Sequence, residues 1–136
     1  MLSGLAVLVL VIAIQFVPVE TTNPPVESGI PTMPEVRAVL RRACYDCHSN
    51  ETVWPWYSRI APLSWVLARD VREGRAELNF STWNRYSTQA QVKKLQESWV
   101  YETEGQMPPW FYLPAHRDAR LSAEDRALLR QWALQR

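Results

Sequence analysis

Only two cysteines occur in the 136 residues, at positions 44 and 47, so a disulfide scaffold spread along the chain is excluded. Charge of one sign is scarce in any one place. Fifteen basic and 14 acidic residues nearly cancel to +1, and without a long basic run no nucleic-acid partner is expected. No internal repeat and no alternating strand pattern is visible, which leaves helical periodicity as the recurring signal. Before Arg37 there is neither Lys nor Arg, and no A-x-A-like site follows the first apolar stretch. A cleaved secretory signal, which needs both, is therefore disfavoured.

Apolar side chains, by contrast, run from Leu2 to Val19, interrupted only by Ser3, Gly4, Gln15 and Pro18. As a helix this stretch would reach about 27 Å, close to the hydrocarbon thickness of a bilayer. Residues 1–19 are accordingly read as an N-terminal transmembrane helix, an uncleaved anchor or signal. Residues 20–31 hold Pro24, Pro25 and Pro31 among Thr and Ser, and read as an extended linker lifting the domain off the membrane. The remaining residues, 32–136, suit one small domain. Its modest core invites a cofactor to supply part of the interior.

Four helices are expected in that domain. The first begins at a capping box, Thr32-x-x-Glu35, with Pro34 in its first turn and Val36, Val39, Leu40, Ala43, Cys44 and Cys47 on one face. The second runs from about Pro62 to Glu73, with Leu63, Val66, Leu67 and Val71 inward and Gly74 as terminator. A third covers about Thr88 to Glu104, with Val92, Leu95 and Trp99 as its stripe and Gly105 after its end. The last starts at Ser122-x-x-Asp125, a second capping box, and buries Leu128, Leu129 and Trp132. The fold class is all-α. Seven Trp in so short a chain either fill the core or wall in a flat ligand.

Cys44-Tyr45-Asp46-Cys47-His48 carries the chemistry, because C-x-x-C-H is the haem attachment signature. Thiols at i and i+3 share a helical face, where each can add to one vinyl group of a haem. The adjoining His48 then supplies the first axial ligand to iron. A zinc site built from Cys44, Cys47, His48 and His116 would lack the second paired knuckle of structural sites. A thioredoxin-like dithiol would call for a βαβ pattern. The expected cofactor is one haem c held by two thioethers. For the second axial position the candidates are Met107, in the proline-stiffened Gly105-Gln106-Met107-Pro108-Pro109, then His116, then an open position.

The segments C-Y-D-C-H-S-N-E-T-x-W-P-W-Y-S (44–58), I-A-P-L-S-W (60–65), D-V-R-E-G-R (70–75), L-N-F-S-x-W (78–83) and M-P-P-W-F-Y-L-P-A-H (107–116) resemble the bacterial haem-binding domain family of c-type cytochromes. More distantly, the two ends of the domain resemble class I cytochromes c, which implies a cytochrome c-like helical domain around one covalent haem. That resemblance implies a further role for Pro62, whose carbonyl would accept the His48 Nδ1 proton. Trp54, Trp56, Tyr57 and Arg59 are candidates to pack the haem edge or bind its propionates, or else belong to an aromatic core with one surface Arg.

The function expected from these readings is one-electron transfer by a membrane-anchored mono-haem cytochrome working with redox proteins at the membrane. Covalent haem is installed outside the bacterial cytoplasm, which would put the domain in the periplasm with a single-pass anchor in the inner membrane. No catalytic constellation stands out, so a carrier rather than an enzyme is expected. The alternative is a haem-based peroxidase or a gas or redox sensor with an open iron position.

Overall fold

Proline sets where the first helix of the domain begins. In the computed structural model, which describes residues 2–134, helix α2 spans Pro34–Ala43 with Pro34 at its first position and Met33 as its N-cap. Proline's fixed φ and missing N–H favour the first helical position, which moves the cap one residue past Thr32. The expected Thr32–Glu35 capping box is therefore not formed, and the Thr32 hydroxyl is buried without a hydrogen-bond partner. Val36, Val39, Leu40 and Ala43 are buried, as their spacing requires. Cys44 ends α2 with φ −127°, and Tyr45–His48 follow as a single turn, α3. Within that turn the Cys47 and His48 amides donate to the Cys44 carbonyl at 3.3 and 2.9 Å.

Helix α4, Leu63–Glu77, runs past the glycine expected to stop it. Gly74 lies inside the helix because α4 crosses the attachment motif there: a Cβ at this position would sit 2.6 Å from the Cys47 carbonyl oxygen. The face turned inward is correspondingly Ser64, Leu67, Val71 and Gly74, whereas Leu63 and Val66, expected to be buried, are exposed. Helix α5, Thr88–Thr103, is capped by the Ser87 hydroxyl, which accepts from the Ala90 amide at 3.3 Å. Gly105, at φ +70°, ends it. The Gly105 amide donates to Glu102 O and the Gln106 amide to Tyr101 O, a Schellman closure that needs a residue free to adopt positive φ. Helix α6, Ala123–Leu134, starts with the expected box: Ser122 N–H donates to Asp125 Oδ2 at 2.8 Å and Asp125 N–H to Ser122 Oγ at 3.1 Å. It buries Leu129, Trp132 and Ala133, packing on both α2 and α5.

Between α4 and α5 the irregular stretch 78–86 contributes Phe80 and Trp83 to the core, stacked in sequence on Tyr45. Among the described residues all regular structure is helical apart from one parallel bridge, Ser28 to Thr82. That bridge belongs to the segment expected to be a free linker. Residues 20–31 are extended but lie on the domain: Ile30, 1 % exposed, is a core residue. Arg75 donates to Thr22 O and Asn23 Oδ1, and Asn50 Nδ2 donates to Pro25 O at 2.8 Å. The stretch is a strap on the domain.

The N-terminal apolar run also differs from its expected form. Helix α1 covers Leu2–Ala13, and a 3₁₀ turn, Ile14–Phe16, follows. Val17, forced out of helical conformation by Pro18 behind it, is extended with ψ 116°. Twelve residues reach about 18 Å, against about 30 Å for a bilayer core. No helix among the described residues is long and apolar enough to cross a membrane.

Candidate functional site: a cavity at the attachment motif

The turn Tyr45–His48 forms one wall of a cavity of about 540 Å³. This is the size and mostly apolar character of a site for a flat organic cofactor. Cys44, Cys47 and His48 line it from the motif, and Leu67 and Gly74 from α4. Trp99 and Glu102 of α5, Leu129 and Trp132 of α6, and the loop carrying Met107, Phe111 and Tyr112 complete it. The attachment motif and Met107, 59 residues later by their numbering at His48, thus meet at one site.

His48 is oriented by backbone alone. Its Nδ1 lies 2.9 Å from Gly74 O and 3.1 Å from Leu78 O. Two carbonyls can only accept, so Nδ1 carries the proton and the Nε2 lone pair is left for a metal. Burial lowers the imidazole pKa against these two bonds, which keeps the ring neutral, as an iron ligand must be. The role expected for the Pro62 carbonyl is thereby taken by Gly74 and Leu78. Pro62 O instead receives the Trp65 and Val66 amides in the first turn of α4, at 3.1 and 3.4 Å.

Burial, followed by the neighbouring Cys47, pushes the Cys44 thiol up to about 12; burial, followed by Asp46, pushes Cys47 up to about 11. Both are neutral thiols at physiological pH, unlike the depressed thiol of a redox dithiol. The zinc alternative also loses its fourth ligand. His116 stacks on the Tyr112 ring at 3.8 Å and donates from Nδ1 to Tyr112 O, away from the cavity lining. Among the described residues no group of three His, Cys, Asp or Glu is placed to hold a metal.

Met107, 41 % exposed, is presented to the cavity by the turn after α5, where its amide donates to Tyr101 O at 3.1 Å. A second tie crosses the site: Tyr112 OH donates to Asp46 Oδ2 at 2.6 Å, and Asp46 Oδ1 accepts from the Val53 amide. Burial and this bond raise the Tyr112 pKa well above that of a free phenol. The latch joins the loop of Met107 to the middle of the cysteine motif. Glu102 is buried on the same wall with Oε1 on Arg126 Nε at 2.8 Å and Oε2 unpartnered.

The aromatic candidates lie elsewhere. Trp54 donates from Nε1 to Asn23 Oδ1, Trp56 is exposed against the edge of Tyr57, and Arg59 is exposed. Tyr57 is half-buried and its pKa raised, first by burial and then by the Asp46 charge, but neither it nor the other three lines the cavity. Sequence reasoning missed Gly74, Leu78, Asp46, Tyr112 and Arg75. Gly74 and Arg75 stand in D-V-R-E-G-R and Asp46 inside C-x-x-C-H, yet their partners are remote in the chain. Arg75 holds Ser49 O at 2.7 Å behind His48 while gripping the strap.

A neutral imidazole with Nδ1 pinned, two protonated thiols within one turn and the Met107 thioether on the lining of the same apolar cavity form a donor set suited to haem. No curated protein and no solved structure matches the chain. The family model for the haem-binding domain matches residues 9–135, almost the whole length, and the chain belongs to that family.

Proposed function

We propose that the protein is a mono-haem c-type cytochrome that passes single electrons at the bacterial inner membrane, its haem domain in the periplasm. The observation that carries the reading is the meeting of Cys44, Cys47, a neutral His48 and Met107 at one cavity. Cys44 and Cys47 would hold the haem as thioethers, each by adding S–H across one vinyl double bond, sulfur to one carbon and hydrogen to the other, with no oxidant required. His48 would hold the iron through Nε2, while Gly74 and Leu78 fix its plane and increase its basicity through Nδ1–H. Met107 would hold the iron through its soft thioether, a donor that favours a raised potential. When bound, the haem supplies an iron that changes valence by one electron. Apolar walls from Leu67, Trp99 and Leu129 exclude water and keep reorganisation small.

Membrane attachment is supported by α1, whose Leu5, Val7, Leu8, Val9, Leu10, Val11 and Ile12 are all exposed, so the helix has no polar face to present to water. The periplasmic side follows from the chemistry, because covalent haem is attached outside the bacterial cytoplasm. Its partners would be redox proteins at that membrane.

Expression with haem-maturation machinery tests the proposal. Acid–acetone should leave the colour on the protein, and the peptide holding residues 44–48 should carry the mass of a haem. Met107→Ala should abolish the weak long-wavelength band of the oxidised form that thioether ligation produces. An unchanged oxidised spectrum with ready carbon monoxide binding in the unsubstituted protein would assign an open iron position instead, and with it a peroxidase or sensor.

A further inference from the structure

We infer that the end of the domain bearing Trp56, Ile60 and Leu63 is a lipid-docking face that rests on the membrane interface. The inference depends on the proposal that the N-terminal apolar segment enters a bilayer. It goes beyond that proposal by fixing how the haem domain stands on the membrane.

The residues leading out of α1 are laid along α4 in a fixed direction. Gln15 clamps the start of the path with two bonds, its Oε1 accepting from Ala61 N–H at 3.0 Å and its Nε2 donating to Ala61 O at 3.2 Å. Pro18 and Val19 share a groove with Trp65 and Ala68. Thr22 and Asn23 are then held by Arg75, near the other end of the helix. The path runs parallel to α4, so α1 departs from the N-terminal end of that helix. A tether able to lift the domain from the membrane is missing, because the strap is bound along its length.

Large apolar side chains gather at this same end. Trp56 is 77 % exposed, Ile60 42 %, Leu63 56 % and Phe16, beside the clamp, 81 %. Ile60 adjoins the clamped Ala61, and Leu63 opens α4. Solvated surfaces tolerate such residues singly; a group of four around one point marks a contact. Arg59 lies between Trp56 and Ile60 and is also exposed. Trp and Arg beside aliphatic side chains suit the boundary between acyl chains and anionic headgroups.

Continuity with α1 selects lipid over a protein partner as the occupant. Gln15, clamped to Ala61, follows the last residue of α1, Ala13, by two positions, so a bilayer entered by α1 meets this end of the domain at its headgroups.

The test uses the full-length haem-loaded protein in vesicles of phosphatidylethanolamine and phosphatidylglycerol, with an environment-sensitive fluorophore on one introduced cysteine and the unsubstituted protein as labelling control. Three positions are compared: Leu8→Cys in α1, Ile60→Cys in the face, and Lys93→Cys on α5. The side chain of Lys94, next to this last site, meets Glu77 O at the far end of α4. Lipids brominated deep in the chain should quench the label at 8, lipids brominated near the headgroup the label at 60, and neither the label at 93. Adding Trp56→Ser and Leu63→Ser should abolish quenching at 60 and leave that at 8. Quenching at 8 without quenching at 60 would overturn the docking face and leave the anchor standing. No quenching at 8, with protein that fails to float with the vesicles, would remove the anchor and the inference together. A label at 60 shielded without lipid, in a protein that elutes as a dimer, would assign the face to a second copy and overturn the lipid assignment.

Discussion

Replacement of Gly74 by Ala probes the contact on which the site depends. The added methyl would stand 2.6 Å from the Cys47 carbonyl oxygen and 3.1 Å from both its carbonyl carbon and its Cβ. Ordinary contact begins at 3.4 Å, so α4 and the attachment turn must separate by about 0.8 Å. The obstacle is backbone, which no rotamer change can move aside. Helix propensity acts the other way, favouring Ala over Gly by about 1 kcal/mol in a helix interior. Overpacking of this kind costs about 1–3 kcal/mol, and with backbone on the opposing side the upper half of that range applies. The net expectation is a loss of about 1–2 kcal/mol, or roughly 4–15 °C in Tm for a domain of this size. The same displacement lengthens the 2.9 Å bond from His48 Nδ1 to Gly74 O, which makes the imidazole less basic, and should raise the reduction potential of the haem-loaded protein. Thermal unfolding and a redox titration of the Gly74→Ala protein would measure both. A Tm equal to or above that of the unsubstituted chain, with an unmoved potential, would refute the close approach of α4 to the motif.

Three further outcomes follow from the same packing. Tyr112→Phe removes the 2.6 Å bond to Asp46 and should cost about 1.5–3 kcal/mol; in the haem-loaded protein, Met107 ligation should weaken while the thioethers persist, which spectra and mass would read separately. Arg75→Ala deletes bonds to Ser49 O, Thr22 O, Asn23 Oδ1 and the Thr52 hydroxyl, and should cost about 2–4 kcal/mol; limited proteolysis should then cut within residues 20–31. The Asp125 carboxyl is held below its ordinary 3.8, first by the Arg42 guanidinium at 2.5 Å and then by its bonds to Ser122. Its contribution is complete above that value and is lost as the pH falls through the lowered one, so Asp125→Ala should flatten the acid limb of a stability–pH curve; an unaltered limb would dismiss the pair.

Some readings from short-range pattern agree with the structure, whereas the Thr32–Glu35 box gave way to Pro34 at the first helical position and the stripe of Leu63 and Val66 is exposed. Val36, Val39, Leu40 and Ala43 face inward because apolar residues at helical spacing can be buried only on one side. Ser122 and Asp125 close their box because both partners lie within one turn. Gly105 ends α5 because only a residue tolerant of φ +70° closes the turn cheaply. Expectations failed where a distant segment intervened. Gly74 reads locally as a terminator, but across the fold it is the point where α4 meets Cys47. Pro62 is replaced by the carbonyls of Gly74 and Leu78, and a segment with the composition of a linker is bound along its length by Arg75, Asn50 and the core position of Ile30.

The sequence by itself determined the helical class, the cysteine pair one turn apart with its adjoining imidazole, and the proline-stiffened loop that offers Met107. Each is a matter of residues within a few positions of one another, where backbone geometry leaves few choices. Only the tertiary structure decided which carbonyls hold His48, that Asp46 and Tyr112 join two segments 66 residues apart, and where α1 leaves the domain. Those pairings depend on how helices cross, and crossing is settled by the packing of whole faces and the close approach of backbones, which no local stretch of residues encodes.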